Sequence, residues 1–123
     1  MSNEVHEPQA RPDHPEVVDL TQLADVLLQR AGTDSQRRAS HLVVNGPAQR
    51  AVLMAILAGS GLGEHASPPA ATLHVLRGRV RLHAGDTDAW LVHAGQVVPV
   101  PPDRHAVDAL EDSVILLTVA LQP

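Results

Sequence analysis

The chain has 123 residues, 44% of them apolar and carried mainly by Val, Leu and Ala, enough for one packed domain and too many for global disorder. Its formal charge of −5, from 9 Arg and 14 acidic residues, argues against a nucleic-acid surface. It lacks Lys and Cys, which excludes Schiff-base chemistry (pyridoxal phosphate, PLP, included), disulfides, thiolate catalysis and iron–sulfur (Fe–S) ligation, and its one aromatic residue, Trp90, offers no stacking platform for bases.

In chain order, residues 1–16 are polar and carry Pro8, Pro12 and Pro15, which predicts a flexible tail unlike a signal peptide. His6 and His14 within it read as solvated imidazoles rather than a metal arm. A helix follows over 17–32: Leu20, Leu23, Ala24, Leu27, Leu28 and Ala31 repeat at helical spacing, Asp19 with Gln22 forms a capping-box start, and Gly32 is the expected stop. Residues 33–38 read as a polar loop. From residue 40 the pattern changes to short strands, expected at 41–44, 51–57, 72–77, 79–82, 89–92, 96–100, 105–109 and 114–121, separated by Gly-, Pro- and Asp-rich breakers that include the run Gly59 to Gly63. Arg79, Arg81 and His83 alternate with Val80 and Leu82, so that strand has one wet and one dry face. Many short strands in about 80 residues predict a small sandwich or barrel. The longest apolar runs, such as 114–117, are too short to span a bilayer, so no membrane association is expected and the cytoplasm is the expected compartment.

Two stretches carry a family resemblance. Gly59, His65, Ser67, Ala71 and Gly78 follow the spacing of the first cupin motif, G-x5-H-x-H-x(3,4)-E-x6-G, with Ser67 in place of the second His and Ala71 in place of the Glu. Gly95, Pro101, Asp103, His105 and Ala109 follow the second motif, with Asp103 for a Gly, His105 one residue early and Ala109 for the final Asn. Over about residues 40–121 the chain resembles a small single-domain bacterial cupin with a degenerate metal-binding motif. The resemblance implies an all-β double-stranded β-helix (cupin, jelly-roll) barrel with one N-terminal helix, commonly a homodimer through paired sheet edges.

It also implies a site. In typical cupins two His and a Glu of the first motif and the His of the second hold one divalent transition metal; here only His65 and His105 carry over. They serve as metal ligands, as acid/base or hydrogen-bond anchors for a small molecule, or persist as remnants of an ancestral site. With Ser67, Leu73 and Val75 they form the candidate ligand-binding set. The leading expectation is a cupin-domain protein that binds a small molecule, a divalent metal or both, accessory or sensory in role. The alternative is a metal-dependent cupin enzyme of oxygenase, isomerase or cyclase type with an open two-His metal.

The remaining candidates read as structural. Strand parity turns His74 away from an interior containing Leu73 and Val75, and His41, His83 and His93 fall on outer or turn positions. Ser67 lacks the third member of a nucleophilic triad and precedes two prolines. Asp86 and Asp88 supply too few oxygens for a calcium loop, Glu64 has the opposite parity to His65, and Glu111 and Asp112 are turn residues. Gly59 to Gly63 is no nucleotide loop, because a phosphate loop needs Lys and a dinucleotide fingerprint needs a following helix. Arg77, Arg79 and Arg81 read as a solvated strip or cross-strand ion pairs. Trp90 fills the core or a dimer face.

Overall fold

The computed structural model describes residues 16–121; the expected tail, with His6 and His14, lies almost wholly outside them. In chain order the elements are α1 (Leu20–Thr33), β1 (Arg38–Asn45), β2 (Gln49–Ile56), β3 (Gly61–His65), β4 (Ala70–Arg77), β5 (Arg79–Ala84), β6 (Asp88–His93), β7 (Val97–Pro99), β8 (His105–Ala109) and β9 (Ser113–Ala120). All pairings are antiparallel, in a five-stranded sheet ordered β1-β2-β9-β4-β7 and a four-stranded sheet ordered β3-β8-β5-β6. The two sheets enclose one core and make a jelly-roll barrel with an N-terminal helix, as the strand pattern predicts. No helix among the described residues is long and apolar enough to cross a membrane.

Helix α1 starts where the sequence places it: the Asp19 carboxylate accepts the Gln22 N–H at 3.0 Å. Replacing that cap orphans a backbone donor, so Asp19→Ala is expected to cost about 1 kcal/mol, read as a small drop in thermal midpoint. The helix does not stop at Gly32. It runs through Thr33, and the Asp34 N–H returns to the Ala31 carbonyl; Gly32 has an ordinary negative φ, so its missing side chain ends nothing. Leu23, Ala24, Leu27 and Ala31 are buried against Leu53, Ala55 and Val114 on the outer face of the large sheet. Arg77 ties the helix down, donating to Asp25 Oδ1 at 2.6 Å and to the Thr21 carbonyl at 3.1 Å.

A second correction concerns the glycine run. Gly61, Gly63 and their neighbours form strand β3 rather than a breaker, paired with β8 through Leu62↔Val107 and His65↔His105. The reason is close approach: a Cβ on Gly61 would lie 2.2 Å from the Val107 carbonyl oxygen, so glycine is what admits this strand to the sheet edge. Arg38 closes the seam between the sheets, donating from β1 to the Gly61 carbonyl at 2.6 Å.

Side chains inside the barrel lose exposure along its axis. Ile56, Val75, Val80 and Ile115 have none, and Val92 and Ala109 have almost none, at the end where β4 turns into β5. Toward the other end, inward-facing Leu62, Val98, Val100 and Leu117 are only half-buried. The barrel therefore has a packed, closed end and an open mouth. At the closed end the Ser113 hydroxyl, fully buried, accepts the Arg79 N–H at 3.0 Å and lies 2.8 Å from the Glu111 carbonyl as donor. Ser113→Ala leaves that N–H unpaired and is expected to destabilise the fold by about 1–3 kcal/mol, measurable by denaturant unfolding.

The outer face of the small sheet is wet, as the alternation in β5 predicts. Arg81 is the cross-strand partner of Asp108 and lies 3.6 Å from its carboxylate, with His83 Nε2 2.9 Å from the same oxygen. Arg79 pairs with Glu111 and Arg104 with Glu64. These are exposed pairs, each worth under about 1 kcal/mol.

Candidate functional site

Strands β3 and β8 bring His65 and His105 side by side at the mouth. They are register partners, and their ring centroids lie 4.4 Å apart with planes at 67°, an edge-to-face contact. His105 is 3% exposed, whereas His65 is half-buried, so the second-motif imidazole lies beneath the first.

Each ring is held in the same way. His65 Nδ1 lies 2.9 Å from the Gly63 carbonyl and His105 Nδ1 lies 3.0 Å from the Asp103 carbonyl. A carbonyl oxygen can only accept, so each Nδ1 carries the proton and donates it to the residue two positions upstream. In a neutral ring this tautomer puts the lone pair on Nε2. Chemically the pair offers two adjacent hydrogen-bond acceptors, which can also take up a proton or bind an electrophilic centre.

The other candidate residues occupy distinct places. Ser67 sits in the β3–β4 connection, its hydroxyl 3.2 Å from the Pro68 carbonyl, as a turn residue would. Ala71 is on the inner face of β4 near the mouth and contributes only a methyl group. Leu73 and Val75 point inward as parity requires, but with no exposed surface: they form the packed floor below the mouth. The apolar wall still open to a ligand is Leu62, Val98, Val100 and Leu117, none of which a motif identifies. Trp90 is opposite Leu82 in register, on the inner side of edge strand β6, and 38% exposed, so it stands at the rim. His74 faces the other side of the large sheet, next to Leu116 in register. Glu64 turns outward to Arg104.

The donor set was tested against the divalent metal that cupin sites commonly hold. Among the described residues no group of three His, Cys, Asp or Glu is placed to hold a metal. Asp88 shares the register row His65–His105–Ala84–Asp88 but lies two strands from His105, about 10 Å by strand spacing. Two imidazoles fall short of the three or four protein ligands of a resident site, and the carboxylate that would balance a dication's charge is replaced by Ala71. The residues present do not fit a resident metal.

Among solved structures the chain is similar to a conserved protein of unknown function from Streptococcus pyogenes, at 23% identity over 95% of this chain and 96% of that one, with a TM-score of 0.70. An RmlC-like cupin protein from Desulfovibrio desulfuricans matches at 25% identity over 73% of this chain and 88% of its own, with a TM-score of 0.65. A cupin superfamily protein from Desulfitobacterium hafniense matches at 13% identity over 96% and 100%, with a TM-score of 0.70. No family model and no curated protein matches the sequence. The two sheets with their crossing turns are thus the cupin fold.

Proposed function

We propose that this chain, a single cupin barrel, is a small-molecule-binding protein of the cytoplasm, accessory or sensory in role, whose ligand sits in the mouth against His65 and His105. The observation that carries the reading is the shared anchoring of both rings through Nδ1 to a backbone carbonyl, which leaves each Nε2 outside that contact, beside a half-buried aliphatic wall. A matching ligand is small and mostly apolar, with a hydroxyl or N–H group to donate to the two nitrogens. Burial of its apolar part against Leu62, Val98 and Leu117 would supply affinity at about 25 cal/mol per Å², and the imidazole pair would fix its orientation.

The metal-dependent enzyme is the second reading, favoured by the same two imidazoles, whose Nε2 atoms bind a metal ion when the rings are neutral. The missing third ligand places it behind the first. The chain's single Trp provides the test. Trp90 fluorescence is to be followed while small alcohols, phenols and hydroxy acids are titrated into the full-length protein. A saturable change that the His65→Ala/His105→Ala variant loses supports the reading, and an identical titration of both proteins overturns it.

A further inference from the structure

The two sheets are tied together at both margins. Arg38 of β1 donates to the Gly61 carbonyl of β3. At the other margin the Gly95 N–H reaches the Val75 carbonyl at 2.8 Å and the Ala94 N–H reaches the Gly78 carbonyl at 3.1 Å. Counted from the first seam, β2 is the second strand of its sheet and stands opposite β8, the second strand of the other and the strand of His105. Both run from mouth to closed end, where Ala109 exchanges hydrogen bonds with Gly59 and Ser60 just past β2. On β2, Met54 and Ile56 pack into the barrel while Leu53 and Ala55 pack under α1. The unbroken register with β9 carries the inward parity of Met54 and Ile56 back to Arg50. Arg50 precedes Ile56 by six residues and His105 precedes Ala109 by four. At ~3.3 Å per residue, Arg50 therefore stands on the rim, about 7 Å further out than His105.

The inner row through Arg50 reads Asn45–Arg50–Val119–Ala71: a guanidinium, a half-buried carboxamide and no acid. Arg38, Arg77, Arg79, Arg81 and Arg104 are each held by a hydrogen bond or an ion pair. Arg50 is exposed and makes neither with any described residue. The inward-parity acid of the small sheet, Asp88, lies on β6, two strands and about 10 Å beyond β8. Glu64 is engaged by Arg104, and Asp103, exposed in the β7–β8 connection, makes no ion pair with Arg50. The open end of an acidic chain thus carries an unpaired cation on its inner face.

We propose that Arg50 recognises a carboxylate, which makes the ligand of the mouth a small aliphatic hydroxy acid. Its carboxylate sits on Arg50 with the Asn45 carboxamide beside it, its chain lies against Leu62 and Leu117, and its hydroxyl donates to the imidazole pair below. The inference rests on the reading of the mouth as a ligand site and adds the sign of the ligand's charge. A guanidinium is permanently charged, and its parallel N–H donors match the two oxygens of a carboxylate. One guanidinium balances one negative charge, which a carboxylate carries and a phosphate dianion exceeds. The net charge of −5 opposes anions at range, but salt screens exposed charges beyond about 10 Å, so the contact at the rim decides the sign.

The test is calorimetric titration of the full-length protein with hydroxy acids of about four to eight carbons, a length that bridges sheets packed about 10 Å apart, each beside its neutral primary amide. The expected result is at least tenfold tighter binding of an acid than of its amide by the wild type. Arg50→Gln should abolish that preference by weakening the acid alone, with an unchanged melting curve. Arg50→Lys, which keeps the charge without the paired donors, should restore part of it. Arg37→Gln removes the same charge at the closed end, where the Arg37 carbonyl accepts the Leu57 N–H, and should leave the preference intact. Acids and amides that bind alike, and are both lost in the His65→Ala/His105→Ala variant, would overturn the carboxylate assignment and leave the mouth reading standing. A preference that survives Arg50→Gln, or falls equally in Arg37→Gln, would also overturn it. Titrations in which neither acid nor amide binds would overturn both.

Discussion

Gly78→Ala is expected to lower stability by roughly 3–5 kcal/mol. Gly78 joins β4 to β5 with φ +81, where an L side chain costs about 1–2 kcal/mol. The added Cβ would also lie 2.4 Å from Ser113 Oγ, 2.5 Å from the Asp112 carbonyl oxygen and 2.9 Å from Ser113 Cα. Two of these neighbours are backbone atoms, so the clash cannot be relieved by a rotamer change. Relief would separate Ser113 from Arg79 and break the buried hydrogen bond between them. For a domain of this size the change corresponds to a fall of roughly 10–20 °C in thermal midpoint. Gly85→Ala is the control. Its φ is +62 but its Cβ would meet nothing within 4 Å, so only the conformational cost of about 1–2 kcal/mol remains. Thermal melts of the two variants separate steric closure of the barrel from backbone preference, and equal melts would contradict this account of the closed end.

The second large effect is on binding. His65→Ala and His105→Ala are each expected to weaken the mouth ligand at least tenfold, about 1.4 kcal/mol, but with different consequences for the fold. His105 is almost fully buried and anchors the β7–β8 connection through Asp103, so its removal also costs roughly 1–2 kcal/mol of stability. His65 is half-buried, and its truncation is expected to leave the melting curve within about 0.5 kcal/mol of wild type. Binding lost at unchanged stability in His65→Ala would assign the imidazole to the ligand. Binding that falls only where stability falls would assign the pair to the scaffold.

Much of this was legible in the sequence, and the reasons differ by element. The 105–109 strand is observed with the predicted bounds because its alternation is bounded by proline on one side and an acidic turn on the other. The spacing Gly59–His65–Gly78 and Gly95–Pro101–His105 singled out two histidines, and the structure makes them register partners. Strand β3 was not legible, because glycine's turn preference is a local signal and the fit of Gly61 against Val107 is a tertiary one. Gly32 misled for the opposite reason, since tertiary packing of Ala31 carries the helix one residue past it. The open wall of Leu62, Val98, Val100 and Leu117 has no motif, and only its partial burial distinguishes it from the floor formed by Leu73 and Val75.

The most direct test of the central claim, that the histidine pair holds a small molecule in the mouth rather than a resident metal, is native mass spectrometry with elemental analysis. It is to be made on untagged protein purified without chelator, beside the His65→Ala/His105→Ala variant. The account predicts no stoichiometric metal in either protein, and an organic ligand, retained or added, bound one per chain by the wild type alone. About one divalent metal per chain in the wild type, absent from the double variant, would contradict it and make the pair a metal centre.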